Sequence, residues 1–192
     1  MNLLIRLIAF LSIAITHSVF AEPVTYNIDP SHTFPAFEAD HQGGLSVWRG
    51  KINSSSGTVV MDREAETGRV DITMDITSID FGHDGMNSAA TEQMLNVTDY
   101  PTAVYSGELT NFVDGEPTAV EGTLTLNGVS NSLDLSIEKF LCKPHFQTGR
   151  EVCGADASSS FSRADYGVDF ALNMGFLPYV NLNISIEAQA AE

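Results

Sequence analysis

The chain has 192 residues, of which 43% are hydrophobic and 18% charged, and its formal net charge is −16 at pH 7. So large an acidic excess repels nucleic-acid phosphates and anionic lipid headgroups, which argues against nucleic-acid binding and against electrostatic docking on a membrane. The length is that of one domain with a substantial core.

Residues 1–21 have the pattern of a secretory signal peptide. A short start containing Arg6 precedes an apolar run over residues 7–15, and Val19-Phe20-Ala21 suits a cleavage site. A transmembrane anchor is the alternative, but the run falls short of the roughly 20 apolar residues that spanning requires. We therefore expect cleavage after Ala21, an exported domain over 22–192 and no integral membrane segment in it. Loss of Arg6 changes the net charge from −16 to −17.

The segments that follow alternate between apolar and polar residues, which is typical of half-buried β-strands. The alternation is strict in 70–77, 120–126, 133–137 and 180–186, and less regular in 24–28, 34–40, 47–52 and 58–61. Residues 84–96 break this pattern and predict a short helix that ends before Pro101. Turn residues such as Asn127-Gly128 separate the strands. The pattern predicts an antiparallel all-β domain, either a sandwich or a barrel.

Two cysteines, Cys142 and Cys153, lie close together in the sequence. In an oxidising compartment such a pair predicts a disulfide, whose short loop would contribute about 3 kcal/mol in the chain-entropy model. A metal site with His145 as a third ligand is the alternative. We favour the disulfide and expect no metal, because the spacing matches no standard zinc pattern and a fourth ligand is missing.

Six short motifs follow one another along the mature chain: 26–33 with Phe37 and His41, Arg49-Gly50 with Gly57-Thr58, 78–84, 100–103, 122–129 and 163–167. Each motif is weak evidence alone. Together, in this order, they resemble the YceI family. The chain departs from the family pattern at Pro35, at Ser88-Ala89-Ala90 where the family often has His-Leu-Arg, and at Met94 and Leu95 in place of aromatic residues.

The resemblance implies a lipocalin-like extended eight-stranded antiparallel β-barrel with a short helix near one end. Family members are periplasmic or secreted and hold polyisoprenoid chains; some are associated with ubiquinone-like, amide or fatty ligands, and no catalytic activity belongs to the family as a whole. The implied function is a non-enzymatic carrier of a long-chain isoprenoid lipid, polyprenyl or prenyl-quinone, with no other cofactor. The replaced residues leave the headgroup open, and the sequence also leaves open a homodimer.

An eight-stranded barrel is wide enough either to be filled by side chains or to hold one narrow ligand. The residues alone favour a packed core, whereas the resemblance favours a cavity in which Ala39 and Gly122 would leave room. The candidate ligand-binding residues are Phe37, Ala39, His41, Val70, Ile72, Met74, Ile76, Met94, Ala103, Tyr105, Leu124 and Leu126. Of these, His41 is expected at the rim, near a ligand headgroup.

Several polar residues are candidates for chemistry. His32, His41 and His83, with Asp29, Asp80 and Asp84, could form an acid–base or metal site. We favour structural roles for His32 and His83 and turn-ordering roles for Asp29 and Asp80. No nucleophile elbow, phosphate loop or zinc signature is present in the sequence. Arg163 could neutralise the polar end of a ligand, although pairing with Asp165 or another carboxylate at a turn is favoured. Two further hypotheses remain: a packed barrel that binds a membrane redox or stress-response protein, and a secreted enzyme acting on an isoprenoid lipid.

Overall fold

A computed structural model describes residues 22–192, so the predicted signal peptide over 1–21 lies outside the described residues. Within 22–192 the strands are β1 (Val24–Ile28), β2 (Phe34–His41), β3 (Ser46–Ile52), β4 (Ser55–Asp62), β5 (Thr67–Asp75), β6 (Ile79–Asp80), β7 (Thr102–Thr110), β8 (Ala119–Leu126), β9 (Val129–Ser132), β10 (Leu135–Pro144), β11 (Glu151–Ser162) and β12 (Tyr179–Ala190). Helix α1 (Asp84–Ala89) continues into a π-helical turn (Ala90–Met94), and 3-10 turns cover Ile76–Ser78, Arg163–Tyr166 and Leu172–Met174. Between residues 22 and 192, no helix has the length and apolar character needed to cross a membrane.

Eight antiparallel strands form a closed barrel in the order β1-β4-β5-β7-β8-β10-β11-β12. The ring closes where β12 pairs with β1, with Ala190 opposite Tyr26 and Ala188 opposite Ile28. Closure gives each barrel strand a partner on both sides and leaves no long unpaired edge in the ring. The fold thus confirms the predicted all-β class and the eight-stranded lipocalin-like barrel.

Strand β12 is long enough to pair with two strands that lie end to end beside it. Its C-terminal part pairs with β1, and its N-terminal part pairs with β2, with Val180 opposite Ala39. Between β1 and β2, buried Thr33 docks on β12 by exchanging hydrogen bonds with the backbone of Glu187. Strand β3 pairs with β2, and β6 pairs with β3. These three extra strands extend one end of the barrel, as the predicted extension requires.

The short helix lies at this extended end. His83 caps α1 by accepting a hydrogen bond from the backbone N–H of Met86, at 3.3 Å from Nδ1. The Asn87 side chain ties the helix to β6, because its Oδ1 accepts from the backbone N–H of Phe81 and its Nδ2 donates to Asp80. The helix predicted over 84–96 is therefore present over 84–94, and His83 and Asp80 have the structural roles expected of them.

The β10–β11 hairpin carries the predicted disulfide. Cys142 lies directly opposite Cys153 in the strand register, and the two sulfur atoms are bonded. In the described part of the chain, the one group of three potential metal ligands found close together comprises these cysteines and Glu151. Cysteines joined in a disulfide are not thiolate ligands, so this group gives the metal alternative no support.

The alternation of residues indicates neither β7 nor β11, and it locates the start of β10 wrongly. Residues 133–137 look like one strand in the sequence, but Leu133 lies between β9 and β10, and β10 continues to Pro144. Strand β11 is rich in serine, alanine and glycine. Small side chains of this kind carry little hydrophobic contrast between the two faces of a strand, so the period-two signal is weak.

Candidate functional site: the barrel cavity

The barrel encloses a cavity of about 290 Å³. This volume is at the lower end of the range of small-molecule sites, which is about 300–1,000 Å³. Eleven of the twelve predicted ligand-binding residues line the cavity: Phe37, Ala39, Val70, Ile72, Met74, Ile76, Met94, Ala103, Tyr105, Leu124 and Leu126. The structure therefore brings these side chains together, while their contact with a ligand stays a prediction.

His41 is the exception, because it is not among the residues that line the cavity. Its ring packs against Trp48, with centroids 4.9 Å apart, and against the edge of Phe176 at 5.7 Å. These contacts place His41 in an aromatic cluster at the extended end of the barrel, beyond Ala39 on the same strand face.

One side of the cavity, formed by β5, β7 and β8, is tightly packed, and we call it the packed wall. Five of its inward side chains are between 2% and 7% exposed: Val70, Ile72, Ala103, Tyr105 and Leu124. Met74 and Leu126, which also line the cavity on this side, are half-buried. The Tyr105 hydroxyl donates a hydrogen bond to the Leu133 carbonyl at 3.0 Å. Burial raises the pKa of Tyr105, so the phenol stays neutral.

Gly122 does not leave room for a ligand, contrary to the sequence-based expectation. A Cβ at this position would collide with the hydroxyl and ring of Tyr105. The space that the glycine creates is therefore occupied by the Tyr105 ring, and the missing side chain serves the packing of β7 against β8.

The opposite side of the cavity, formed by β10, β11 and β12, is less densely packed, and we call it the open wall. Large inward side chains of this wall line the cavity but are only half-buried: Leu135, Ile137, Phe140, Phe161, Leu182, Ile184 and Ile186. Its smallest lining residues are Gly154, Ala155 and Ala157 on β11 and Ala188 on β12. An inward side chain that keeps accessible surface has free space beside it, so unfilled interior space lies along this wall.

The two ends of the cavity also differ. At the end formed by Tyr26, Met61 and Pro117, the lining side chains are almost fully buried. The Tyr26 hydroxyl donates a hydrogen bond to Glu151 at 2.5 Å, and burial together with this carboxylate raises the pKa of Tyr26. This arrangement closes the barrel at that end with a neutral aromatic side chain.

The extended end has a looser lining, which we call the mouth. Phe81, Met94 and Leu95 line the cavity here and are half-buried. Phe81 packs edge-on against Phe37, with ring centroids 5.4 Å apart. Met94 and Leu95, two departures from the family pattern, therefore help to shape the end through which a ligand would pass.

Arg163 lies at the same end and lines the cavity. Its Nη1 atom donates a hydrogen bond to the Val168 carbonyl at 2.6 Å. Among residues 22–192, no ion pair joins Arg163 to Asp165 or to another carboxylate, so the pairing favoured from the sequence is wrong. The local reason is the 3-10 turn Arg163–Tyr166, which ends at Gly167 and places the Val168 carbonyl within reach of the guanidinium.

Asp29 and His32 form a local pair outside the cavity. Asp29 accepts hydrogen bonds from Ser31 and lies 2.8 Å from Nδ1 of His32. These hydrogen bonds lower the pKa of Asp29 to about 2. The pair orders the turn between β1 and β2, which matches the structural interpretation of both residues.

A closed antiparallel barrel with an apolar cavity and a loosely packed mouth defines a ligand-binding barrel of lipocalin-like architecture. The family model for the YceI-like domain matches residues 26–190. The chain therefore belongs to the YceI family, as the sequence motifs predicted.

Among its relatives, Protein YceI of Shigella flexneri is 28% identical over 166 residues, which is 84% of this chain and 85% of that protein. A polyisoprenoid-binding domain from Saccharophagus degradans has a similar structure, with a TM-score of 0.60 and 14% identity over 88% of this chain and 99% of that one. The Campylobacter jejuni YceI protein gives a TM-score of 0.64 at 23% identity, covering 77% and 88%. At these identities the two solved structures establish the shared fold.

Proposed function

We propose that the chain is a periplasmic binding protein that carries a long-chain isoprenoid lipid, of the polyprenyl or prenyl-quinone type, in its barrel. The observation that carries the proposal is the apolar cavity, with unfilled space along the open wall. Supporting evidence comes from membership of the YceI family and from the polyisoprenoid-binding domain that shares the fold. A filled barrel that acts only through its outer surface would not need this space.

The energetics suit an apolar tail. At about 0.3 kcal/mol per heavy atom, a tail of about forty carbons would contribute roughly 12 kcal/mol, which corresponds to nanomolar binding. The cavity of about 290 Å³ is small for such a tail. We therefore expect part of the ligand to bend or to protrude through the mouth, and we expect modest selectivity for chain length.

The lining supports binding rather than catalysis. Its ionisable side chains in the described chain are Tyr26 and Tyr105, both with raised pKa values, and Arg163. General acid–base catalysis needs a group that can exchange a proton near the operating pH. Two neutral phenols and a guanidinium do not supply one, so the hypothesis of an enzyme acting on the lipid finds no support in the cavity.

The periplasmic location rests on two independent features. The signal-peptide pattern over residues 1–21 predicts export, and the disulfide between Cys142 and Cys153 suits an oxidising compartment.

The proposal is tested by adding lipid to the delipidated mature protein. Because a ligand that binds the native state stabilises it, a prenyl quinone or a polyprenol at 100 times its Kd should raise the free energy of unfolding by about 2.7 kcal/mol. The measurement is thermal unfolding, with a short-chain phospholipid as the control for detergent-like effects. Unchanged unfolding with both isoprenoids would contradict the proposal.

A further inference from the structure

Among the residues of the described chain that line the cavity, Arg163 carries the only charged side chain. Two main-chain hydrogen bonds fix its position. Its backbone N–H donates to the Pro178 carbonyl at 2.9 Å, and Nη1 donates to the carbonyl of Val168, itself a buried lining residue. The guanidinium is therefore held at the mouth, where the apolar lining ends.

Most of the hydrogen-bonding capacity of this guanidinium is unused by the described residues. A guanidinium has five N–H donors, and the Val168 carbonyl engages one of them. The side chain is half-buried, and its apolar stem, rather than the guanidinium, contributes to the cavity lining. A ligand whose tail occupies the barrel would bring its headgroup to this level, and an oxygen there could accept the remaining hydrogen bonds.

The charges around Arg163 indicate whether the group that carries this oxygen is itself charged. Burial lowers the pKa of Arg163, and the negative charges of Asp169 and Asp40 oppose this effect without overcoming it. Asp40 is itself held at the mouth by hydrogen bonds from the backbone N–H groups of Gly43, Gly44 and Leu177. A phosphate or pyrophosphate would meet these two carboxylates, whereas an uncharged oxygen can bind Arg163 without that repulsion.

We propose that Arg163 binds the carbonyl oxygen of an uncharged lipid headgroup, as in a prenyl quinone, at the mouth of the cavity. This inference rests on the proposed function, since it requires an isoprenoid tail in the barrel. The tail would supply most of the affinity, and Arg163 would select among headgroups.

Three ligands separate the contribution of the tail from that of the headgroup. They are a prenyl quinone, squalene as an isoprenoid without a headgroup, and a polyprenyl phosphate. Their affinities are measured by calorimetry for the mature wild-type protein and for Arg163→Met and Arg163→Lys. Arg69→Met is the matched control, because Arg69 forms a hydrogen-bonded ion pair with Asp71 on the exposed surface of β5.

We expect Arg163→Met to weaken quinone binding about 10- to 100-fold, the range of one hydrogen bond to a charged group, and to leave squalene binding unchanged. Arg163→Lys should restore part of the quinone affinity, Arg69→Met should have no effect, and the wild type should bind the quinone more tightly than the phosphate.

An unchanged quinone affinity in Arg163→Met would overturn the inference and leave the lipid-carrier proposal intact. An equal loss for quinone and squalene would also overturn it, because it would assign Arg163 a purely structural role. Wild-type protein that binds neither squalene nor quinone would overturn the carrier proposal and this inference together.

Discussion

The packed wall and the open wall of the barrel have the same backbone geometry but different side-chain packing. On the packed wall, Leu124 and Tyr105 are almost fully buried, and Gly122 makes room for the Tyr105 ring. On the open wall, Leu182 and its neighbours stay half-buried beside Ala157. An eight-stranded barrel can be filled or can hold one ligand, and here the small side chains of one wall decide between the two outcomes.

Truncating one leucine on each wall should lower the free energy of unfolding by different amounts. Leu124→Ala removes a fully packed side chain and should lower the free energy of unfolding by about 2–5 kcal/mol. Leu182→Ala should cost less, about 2 kcal/mol or below, because part of the Leu182 surface already faces free space. Urea unfolding of the lipid-free proteins measures both values. Equal losses would show that the open wall is packed like the other.

Strands β10 and β11 of the open wall are joined by the disulfide. Replacing both Cys142 and Cys153 with alanine should lower the free energy of unfolding by about 3 kcal/mol, through the larger entropy of the unfolded chain. A reducing agent should destabilise the wild type to a similar extent and leave the double variant unchanged, as followed by thermal unfolding. If reductant alters neither the mass nor the stability of the wild type, the bond is absent in solution.

Filling the open wall should abolish its unfilled space. Ala157 faces the cavity between Ile137 and Ile184 in the strand register, so Ala157→Trp should weaken isoprenoid binding by about tenfold or more, which is 1.4 kcal/mol or more. The matched control is Ser160→Trp, on the exposed face of the same strand. Comparable affinities of the two variants in a titration with prenyl quinone would place the ligand elsewhere.

The smallest effect is expected at the turn between β1 and β2, outside both walls. The pKa of Asp29 is lowered from 3.8 to about 2, so its contribution to stability is present above pH 3.8 and is lost as the pH falls towards 2. Asp29→Asn should therefore reduce the dependence of the unfolding midpoint on pH over this range, by a small amount because the side chain is exposed. If Asp29→Asn keeps the wild-type dependence of the unfolding midpoint on pH, Asp29 does not make this contribution to stability.

The sequence predicted the residues that line the packed wall better than those that line the open wall, and the reason is physical. Large aliphatic residues such as Val70 and Ile72 alternate with polar ones on β5, so the period of two is evident. Strand β11 lines the cavity with Ala155 and Ala157, whose small size creates the free space and also removes the hydrophobic signal. The small side chains that leave free space along β11 are therefore also the reason why the alternation did not reveal this strand.

Contacts between distant segments were beyond what the sequence could predict. The space at Gly122 is taken by Tyr105, which follows from the register of β7 against β8. His41 packs against Phe176, which is far away in the sequence. Motif order, in contrast, was sufficient to predict the family, the closed barrel and the helix at its extended end.

The central claim is that the barrel holds an isoprenoid lipid in its native compartment. The most direct test is to express the full-length chain, purify the mature protein from the periplasm, extract it with organic solvent and identify the extract by mass spectrometry, with Ala157→Trp processed in parallel. We expect an isoprenoid in near-stoichiometric amount from the wild type and much less from the variant. An extract without any isoprenoid, from protein that also fails to bind added prenyl quinone, would contradict the claim.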